Sequence, residues 1–298
     1  MVFNGVRTTK NNKLMIRILY VHGYNGKPNG ESFQKLAKYA EVADFGGEKV
    51  QMHSFDYDAA DPFKAIRDLR FYYFKNDIDL IIGSSLGGFL AASCDFMRRI
   101  VINPCWAPSE ELLKIGYEGE TRKYTLLEDD LGYYAERGDA DLCIGCFAPA
   151  DELLGTKYKE AFSKHFKETY EIPGGHHLSD EAARKIMTEI APMAIKKFKE
   201  STGPGKLVSN GLSEFERIQH AHMYSIYNES SIKKSHMCGC FYCGKVFPSE
   251  LVEDFAIEFS ENGDTGICPY CMIDSVLADA DWKDLSPEFL EKMKEYWF

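Results

Sequence analysis

A serine framed by glycines two residues to either side, Gly83-Ser84-Ser85-Leu86-Gly87, is the stretch of this chain best suited to covalent chemistry. Where a strand turns sharply into a helix, such a serine projects its hydroxyl from a strained corner, and the glycines make that corner sterically possible. The hydroxyl attacks a carbonyl only if a base takes its proton and a third group orients the base. Candidates for both follow in the sequence: Asp151 just past an apolar run, and the adjacent His176 and His177 after Pro173-Gly174-Gly175. The Gly-x-x-His spacing favours His177 over His176, because a tight glycine turn then presents its fourth residue. His22-Gly23 ends an earlier apolar run. The amide of Tyr24, with that of Leu86 behind the serine, is a candidate donor to a tetrahedral oxyanion. Each feature alone is commonplace; a glycine turn, an acid after a strand and a surface histidine occur in most proteins.

A second chemistry lies near the other end. Cys240-x-x-Cys243 and Cys268-x-x-Cys271 are separated by 24 residues, a spacing with which two knuckles can set four thiolates tetrahedrally around one zinc ion. Four thiolates leave no open position for water, so the zinc is expected to be structural, and catalysis needs no cofactor. Cys238 reads as a spare thiol, and His220, His222 or His236 could replace a ligand. Cys143 and Cys146 are also three apart, but within a strand that spacing puts them on opposite faces, as buried thiols. Nine cysteines, an odd number with four in these knuckles, read as reduced thiols and a metal site rather than a disulfide framework.

Elements that could position the serine are legible in hydrophobic periodicity. Strands are expected at Lys13 to Val21, Val50 to Phe55, Leu80 to Ile82, Arg99 to Asn103, Asp141 to Phe147 and Glu168 to Ile172. Helices are expected at Ser32 to Ala43, Pro62 to Phe74, Leu86 to Met97 and Lys157 to Lys167. The alternation predicts an α/β fold, a mostly parallel sheet with helices on both faces. Ala107 to Asp139, charged and rich in tyrosine, reads as an insertion over the strand ends, either a lid or a plain surface loop. Ser201-Thr202-Gly203-Pro204-Gly205 breaks the last helix. The expected organisation is a domain over 1–200, a linker over 201–212 and a small zinc-binding domain over 213–298, opening with a helix at Glu214 to Tyr227.

Charge narrows the partners. The 298 residues carry a net charge of -11, and from Ser213 onward 7 Lys and Arg against 16 Asp and Glu leave -9. That balance disfavours nucleic acid as a partner of the C-terminal part. Met1 to Lys13 lacks the apolar core of a secretion signal, and no run approaches the ~18–20 apolar residues of a membrane span. A cytoplasmic protein is expected.

Residues from about Met15 to Phe198 resemble the small YqiA/YcfP-like esterases of the α/β-hydrolase superfamily. The motifs are Leu19-Tyr20-Val21-His22-Gly23, Gly83 to Phe89, Ile102-Asn103-Pro104, Asp151-Glu152 and Gly174-Gly175-His176-His177. The order serine, acid, histidine agrees with that superfamily. The resemblance implies a compact hydrolase with little or no cap, acting on acyl esters, with Ser85, Asp151 and His177 as its triad. Cys105-Trp106 departs from the smaller residues common after the Asn-Pro. The stretch from Phe215 to Phe298 resembles short uncharacterised bacterial cytoplasmic proteins with a zinc-ribbon-like core, which implies a metal and a fold but no activity. The expected function is a serine esterase whose zinc domain binds a protein partner or presents substrate. A thioesterase, or a silent hydrolase fold serving as a binding scaffold, is the alternative.

Overall fold

Ile16, Ile18 and Tyr20 alternate with Leu19 and Val21 along β1 (Met15–Val21), and in a strand alternate side chains face opposite sides of the sheet. The computed structural model describes residues 15–95, 97–132, 135, 139–201, 214–257 and 263–298. The chain divides into two compact units, residues 1–201 and 202–298. Most of the expected linker, the start of the first expected strand and the N-terminal segment weighed for a signal lie outside the described residues.

In the first unit β1, β2 (Lys49–Phe55), β3 (Leu80–Ser84), β4 (Arg99–Ile102), β5 (Cys143–Phe147) and β6 (Glu168–Glu171) form one sheet in the order β2-β1-β3-β4-β5-β6. Every pairing is parallel. The central strands β3, β4 and β5 are buried throughout or nearly so, as strands covered on both faces must be. One face, carrying Ile16, Ile18, Ile82, Ile100 and Ile144, packs against α1 (Glu31–Ala40), α7 (Asp180–Lys185) and α8 (Ala191–Ser201). α2 (Pro62–Lys75) packs with α3 (Leu86–Ala92), which lies against β3 and β4. This strand order, with a strand-to-helix corner at the end of β3, is the α/β-hydrolase arrangement.

Helix α3 stops at Ala92, five residues short of the end the sequence suggests. Its Ser93 hydroxyl donates to the Phe89 carbonyl, while Arg70 donates to the Ser93 carbonyl and to Asp95. These bonds draw the chain off the helix axis. Between α7 and α8 the helix widens into a π-type turn, Ile186–Ile190, just before Pro192. A proline lacks the N–H that would continue an ordinary ladder, and the wider register accommodates it. The insertion after β4 forms α4 (Pro108–Lys114) and α5 (Arg122–Asp130), and α6 (Lys157–Ser163) connects β5 to β6. Of its tyrosines, Tyr117 and Tyr124 are buried, while Tyr133 and Tyr134 lie outside the described residues. Cys143 and Cys146 are both buried, Cys146 in the cluster beneath α1 and α7 and Cys143 beside Arg99.

In the second unit β7 (Met237–Cys240) lies between β8 (Val246–Pro248) and β11 (Val276–Ala278), both antiparallel to it. A second ribbon pairs β9 (Phe255–Ala256) with β10 (Thr265–Gly266). The helices include α9 (Glu214–Met223), the short α10 (Glu229–Ile232) and the amphipathic α11 (Pro287–Trp297), started by the Ser286 hydroxyl accepting from the Phe289 amide. Phe289, Leu290 and Met293 of α11 pack with Ile218 and Ala221 of α9 and with Phe241 and Leu277. Among the described residues, no helix is long and apolar enough to cross a membrane.

Candidate functional site

The corner at the end of β3 is sharp. Ser85 has φ 52° and ψ -119°, a conformation that costs a non-glycine residue ~1–3 kcal/mol and that only surrounding structure can impose. The Ser85 amide donates to the Ile102 carbonyl of β4 at 2.9 Å, and its carbonyl accepts from the amides of Phe89 and Cys105. The glycines are required by contact. A Cβ on Gly83 would stand 2.3 Å from the Gly87 carbonyl oxygen, and one on Gly87 would stand 2.2 Å from that of His22. The helix therefore lies directly against the end of β1.

His176 faces this serine. Its Nε2 lies 3.1 Å from Ser85 Oγ, and its Nδ1 lies 3.0 Å from Asp151 Oδ2. The side chains of His176 and Asp151 are 7% and 2% exposed, so the bond between them is shielded from water, while Ser85 opens on the cleft. Asp151 Oδ1 accepts from the amides of Leu153 and Leu154 at 2.9 and 2.8 Å. Burial pushes the Asp151 carboxyl up, but the hydrogen bonds from His176 and these amides outweigh it and hold the group below the usual carboxylate value. It is held as the anion.

His177, which the Gly-x-x-His spacing favours, does not occupy that position. It is exposed at the rim of the cleft, its ring 5.9 Å from that of His176 and inclined to it by 74°. The reason is tertiary. Asn103, at the end of β4 with φ 40°, donates from Nδ2 to the carbonyls of Gly175 and His176, and its Oδ1 accepts from the Ala148 amide. Glu152 accepts from the His176 amide at 3.0 Å. These contacts from two other strand ends fix the backbone at residue 176 and turn its ring inward. Asn103 and Glu152 hold this turn; both stand in motifs quoted from the sequence, but the motifs assign neither a role, Asn103 following β4 directly and Glu152 lying five residues past β5.

The loop after β1 completes the site. A Cβ on Gly23 would lie 3.1 Å from Ser85 Cβ, so the loop passes against the serine. His22 is buried; its Nδ1 lies 2.8 Å from the Gly23 carbonyl oxygen, its Nε2 3.1 Å from Asp56 Oδ1, and its ring stacks on Tyr57. The Gly26 amide also donates to the Gly23 carbonyl. A trans peptide points its N–H opposite its C=O, so the Tyr24 N–H is turned away from His22. Leu86 is the first residue of α3, where N–H groups have no partner within the helix. Tyr117 packs edge-on against Tyr24, so the insertion braces the loop. The cleft, about 360 Å³, is lined by this loop, the start of α1, Ser84, Ser85, His176 and His177, and by none of the described residues of the insertion.

In the second unit Cys240, Cys243, Cys268 and Cys271 place their sulfurs within 4.8 Å of one another. Cys240 and Cys271 are 3.6 Å apart and Cys243 and Cys268 3.8 Å apart, far beyond the ~2.05 Å of a disulfide. A tetrahedron with arms of about 2.3 Å has edges of about 3.8 Å, so the four thiols can hold a thiophilic metal ion. The knuckles are built alike. The amides of Gly244 and Met272 return to the carbonyls of Cys240 and Cys268, and both residues have positive φ, 72° and 62°. The amides of Cys240 and Cys268 donate to the carbonyls of Lys245 and Ile273. Cys238 is buried outside the four; none of the three histidines considered as substitutes belongs to the cluster, and His222 stacks on Trp297.

Solved structures similar to this chain include three from different sources. An esterase domain from a Rhodothermus marinus protein is 14% identical, covers 62% of this chain and 89% of its own, and has a TM-score of 0.46. Est1E from Butyrivibrio proteoclasticus is 15% identical over 63% and 88%, with a TM-score of 0.44. An α/β hydrolase enzyme from the metagenome of sediments of the lagoon of Mar Chica is 16% identical over 63% and 92%, with a TM-score of 0.39. No curated protein matches the chain. Residues 17–186, more than half of the chain, match a family model, and through them the chain belongs to the uncharacterised protein family UPF0227.

Proposed function

We propose that the first unit is a serine hydrolase that cleaves carboxylic esters or thioesters through an acyl-enzyme. The observation that carries this reading is the relay from Ser85 through His176 to the ionised Asp151, set at a strained strand-to-helix corner. His176 Nε2 takes the proton from Ser85 Oγ as the oxygen attacks the substrate carbonyl carbon. The Tyr24 and Leu86 amides receive the negative oxygen of the tetrahedral intermediate. His176 passes the proton to the leaving alcohol or thiol, and water, deprotonated in turn by His176, releases the acid. Asp151 holds the ring so that Nε2 faces the serine and stabilises its charged form.

The second unit holds a structural zinc in this reading. Its four thiolates would close the coordination shell, and the ion would tie β7 to the segment after β10. That unit binds a protein partner or presents the substrate, and the two domains are joined near 201–212.

The test is a fluorophosphonate probe followed by intact mass. A single adduct on the folded protein that disappears in Ser85→Ala supports the hydrolase. No adduct on folded, metal-loaded protein rejects it in favour of a hydrolase fold used as a binding scaffold.

A further inference from the structure

In the hydrolase reading the Tyr24 amide binds the oxyanion, so the site depends on which way the peptide between Gly23 and Tyr24 faces. Gly23 passes so close to the nucleophile that a Cβ there would lie 3.1 Å from Ser85 Cβ and 3.6 Å from Ser85 Oγ. Glycine meets that approach, but a residue without a Cβ takes up many backbone conformations at little cost, so the peptide is easy to turn over. Turned over, it would present a carbonyl oxygen where the Tyr24 N–H should stand, and an acceptor there repels a negative oxygen. The peptide has to be held.

The Gly23 carbonyl oxygen accepts from the Gly26 amide at 2.9 Å and lies 2.8 Å from His22 Nδ1. A carbonyl oxygen only accepts, so Nδ1 carries the hydrogen of that bond. The ring itself is placed by the end of β2. Val21 pairs with Phe55 in the parallel register, which sets Asp56 and Tyr57 beside His22. Asp56 Oδ1 lies 3.1 Å from His22 Nε2 and accepts from the Tyr57 amide at 3.0 Å. The Tyr57 ring stacks on the imidazole with centroids 4.7 Å apart, and its hydroxyl donates to the His22 carbonyl at 2.9 Å. Among the described residues, the Tyr24 amide donates to no group. Its partner side is open while the carbonyl of the same peptide is bound twice.

We propose that His22 is a positioning residue for the oxyanion amide: braced by Asp56 and Tyr57, its Nδ1–H clamps the Gly23 carbonyl and keeps the Tyr24 N–H turned toward the reacting carbonyl. His22 exerts this role through the peptide rather than on the substrate. The inference rests on the serine hydrolase reading and adds to it a second histidine and carboxylate, drawn from the ends of β1 and β2, whose work is to aim a backbone donor.

The test uses saturation kinetics of fluorophosphonate labelling on the full chain, which give a maximal rate and a half-saturating concentration. In His22→Asn the side-chain amide nitrogen falls where Nδ1 stands and can still donate to the Gly23 carbonyl; in His22→Gln it falls where Nε2 stands and cannot. The glutamine variant should lose at least about tenfold in maximal rate, up to the ~100- to 1,000-fold that losing one oxyanion donor costs. The asparagine variant should recover most of that loss. The half-saturating concentration should stay unchanged in both, because the donor is engaged only as negative charge develops. Asp56→Ala, at a side chain 74% exposed and so no threat to the fold, should slow labelling several-fold by leaving the ring unbraced. Circular dichroism establishes that each variant folds. A labelled wild type beside equal rates for the asparagine and glutamine variants, or a wild-type rate in Asp56→Ala, overturns the clamp alone. A wild type that takes no label overturns the hydrolase reading and this inference with it.

Discussion

The sharpest prediction concerns the two adjacent histidines. His176→Ala removes a ring that lies 3.1 Å from Ser85 Oγ and 3.0 Å from Asp151. With no base in place, the serine hydroxyl must surrender its proton to solvent. Removing the base of such a relay costs ~10⁴- to 10⁶-fold in kcat/KM, about 5 to 8 kcal/mol of transition-state stabilisation. His177→Ala removes an exposed ring that touches neither group. The loss expected there is about threefold or less, the scale of one exposed surface contact. The assay is the rate of fluorophosphonate adduct formation by intact mass, with ester hydrolysis beside it and circular dichroism to establish that both variants fold. An inactive His177→Ala protein beside an active His176→Ala protein would refute the assignment, and with it the argument that Asn103 and Glu152 set the turn.

Other consequences can be measured independently. Metal analysis of the second unit should give one zinc per chain with sulfur neighbours at about 2.3 Å by X-ray absorption, and a strong chelator should unfold that unit; a full-length protein that keeps its fold with no metal would overturn the structural role. Burial pushes the Glu111 carboxyl up, but donors from Lys157, Tyr158 and Lys114 outweigh it and hold its pKa at about 2. Because the folded value lies below the unfolded one, the stabilisation is complete above the ordinary glutamate range and is lost as pH falls towards about 2. Denaturant titrations from pH 6 to pH 2 should therefore show a steeper acid loss in the wild type than in Glu111→Gln. Arg99 and Asp139 form a fully buried pair at 2.7 Å. Asp139→Ala leaves the guanidinium without its charge partner and should destabilise the first unit by ~3–5 kcal/mol in equilibrium unfolding.

What the sequence determined by itself is whatever depends on local pattern. Alternating and continuous apolar runs specified six strands, because side-chain burial on a pleat has a period of two residues. Gly83 and Gly87 marked the corner, since only glycine lets α3 approach the end of β1 so closely. The two Cys-x-x-Cys knuckles specified the four-cysteine cluster for a similar reason: each pair is held by hydrogen bonds inside a stretch of six residues. Helix ends were less legible, because α3 ends where Arg70, from α2, captures Ser93 and Asp95. Between His176 and His177 the sequence offers two identical side chains one residue apart, and a shift of one residue reverses the direction in which a side chain points. Asn103 and Glu152, 73 and 24 residues away, decide which of the two faces Ser85. Those contacts exist only once β4, β5 and β6 lie side by side, so the choice belonged to the tertiary structure.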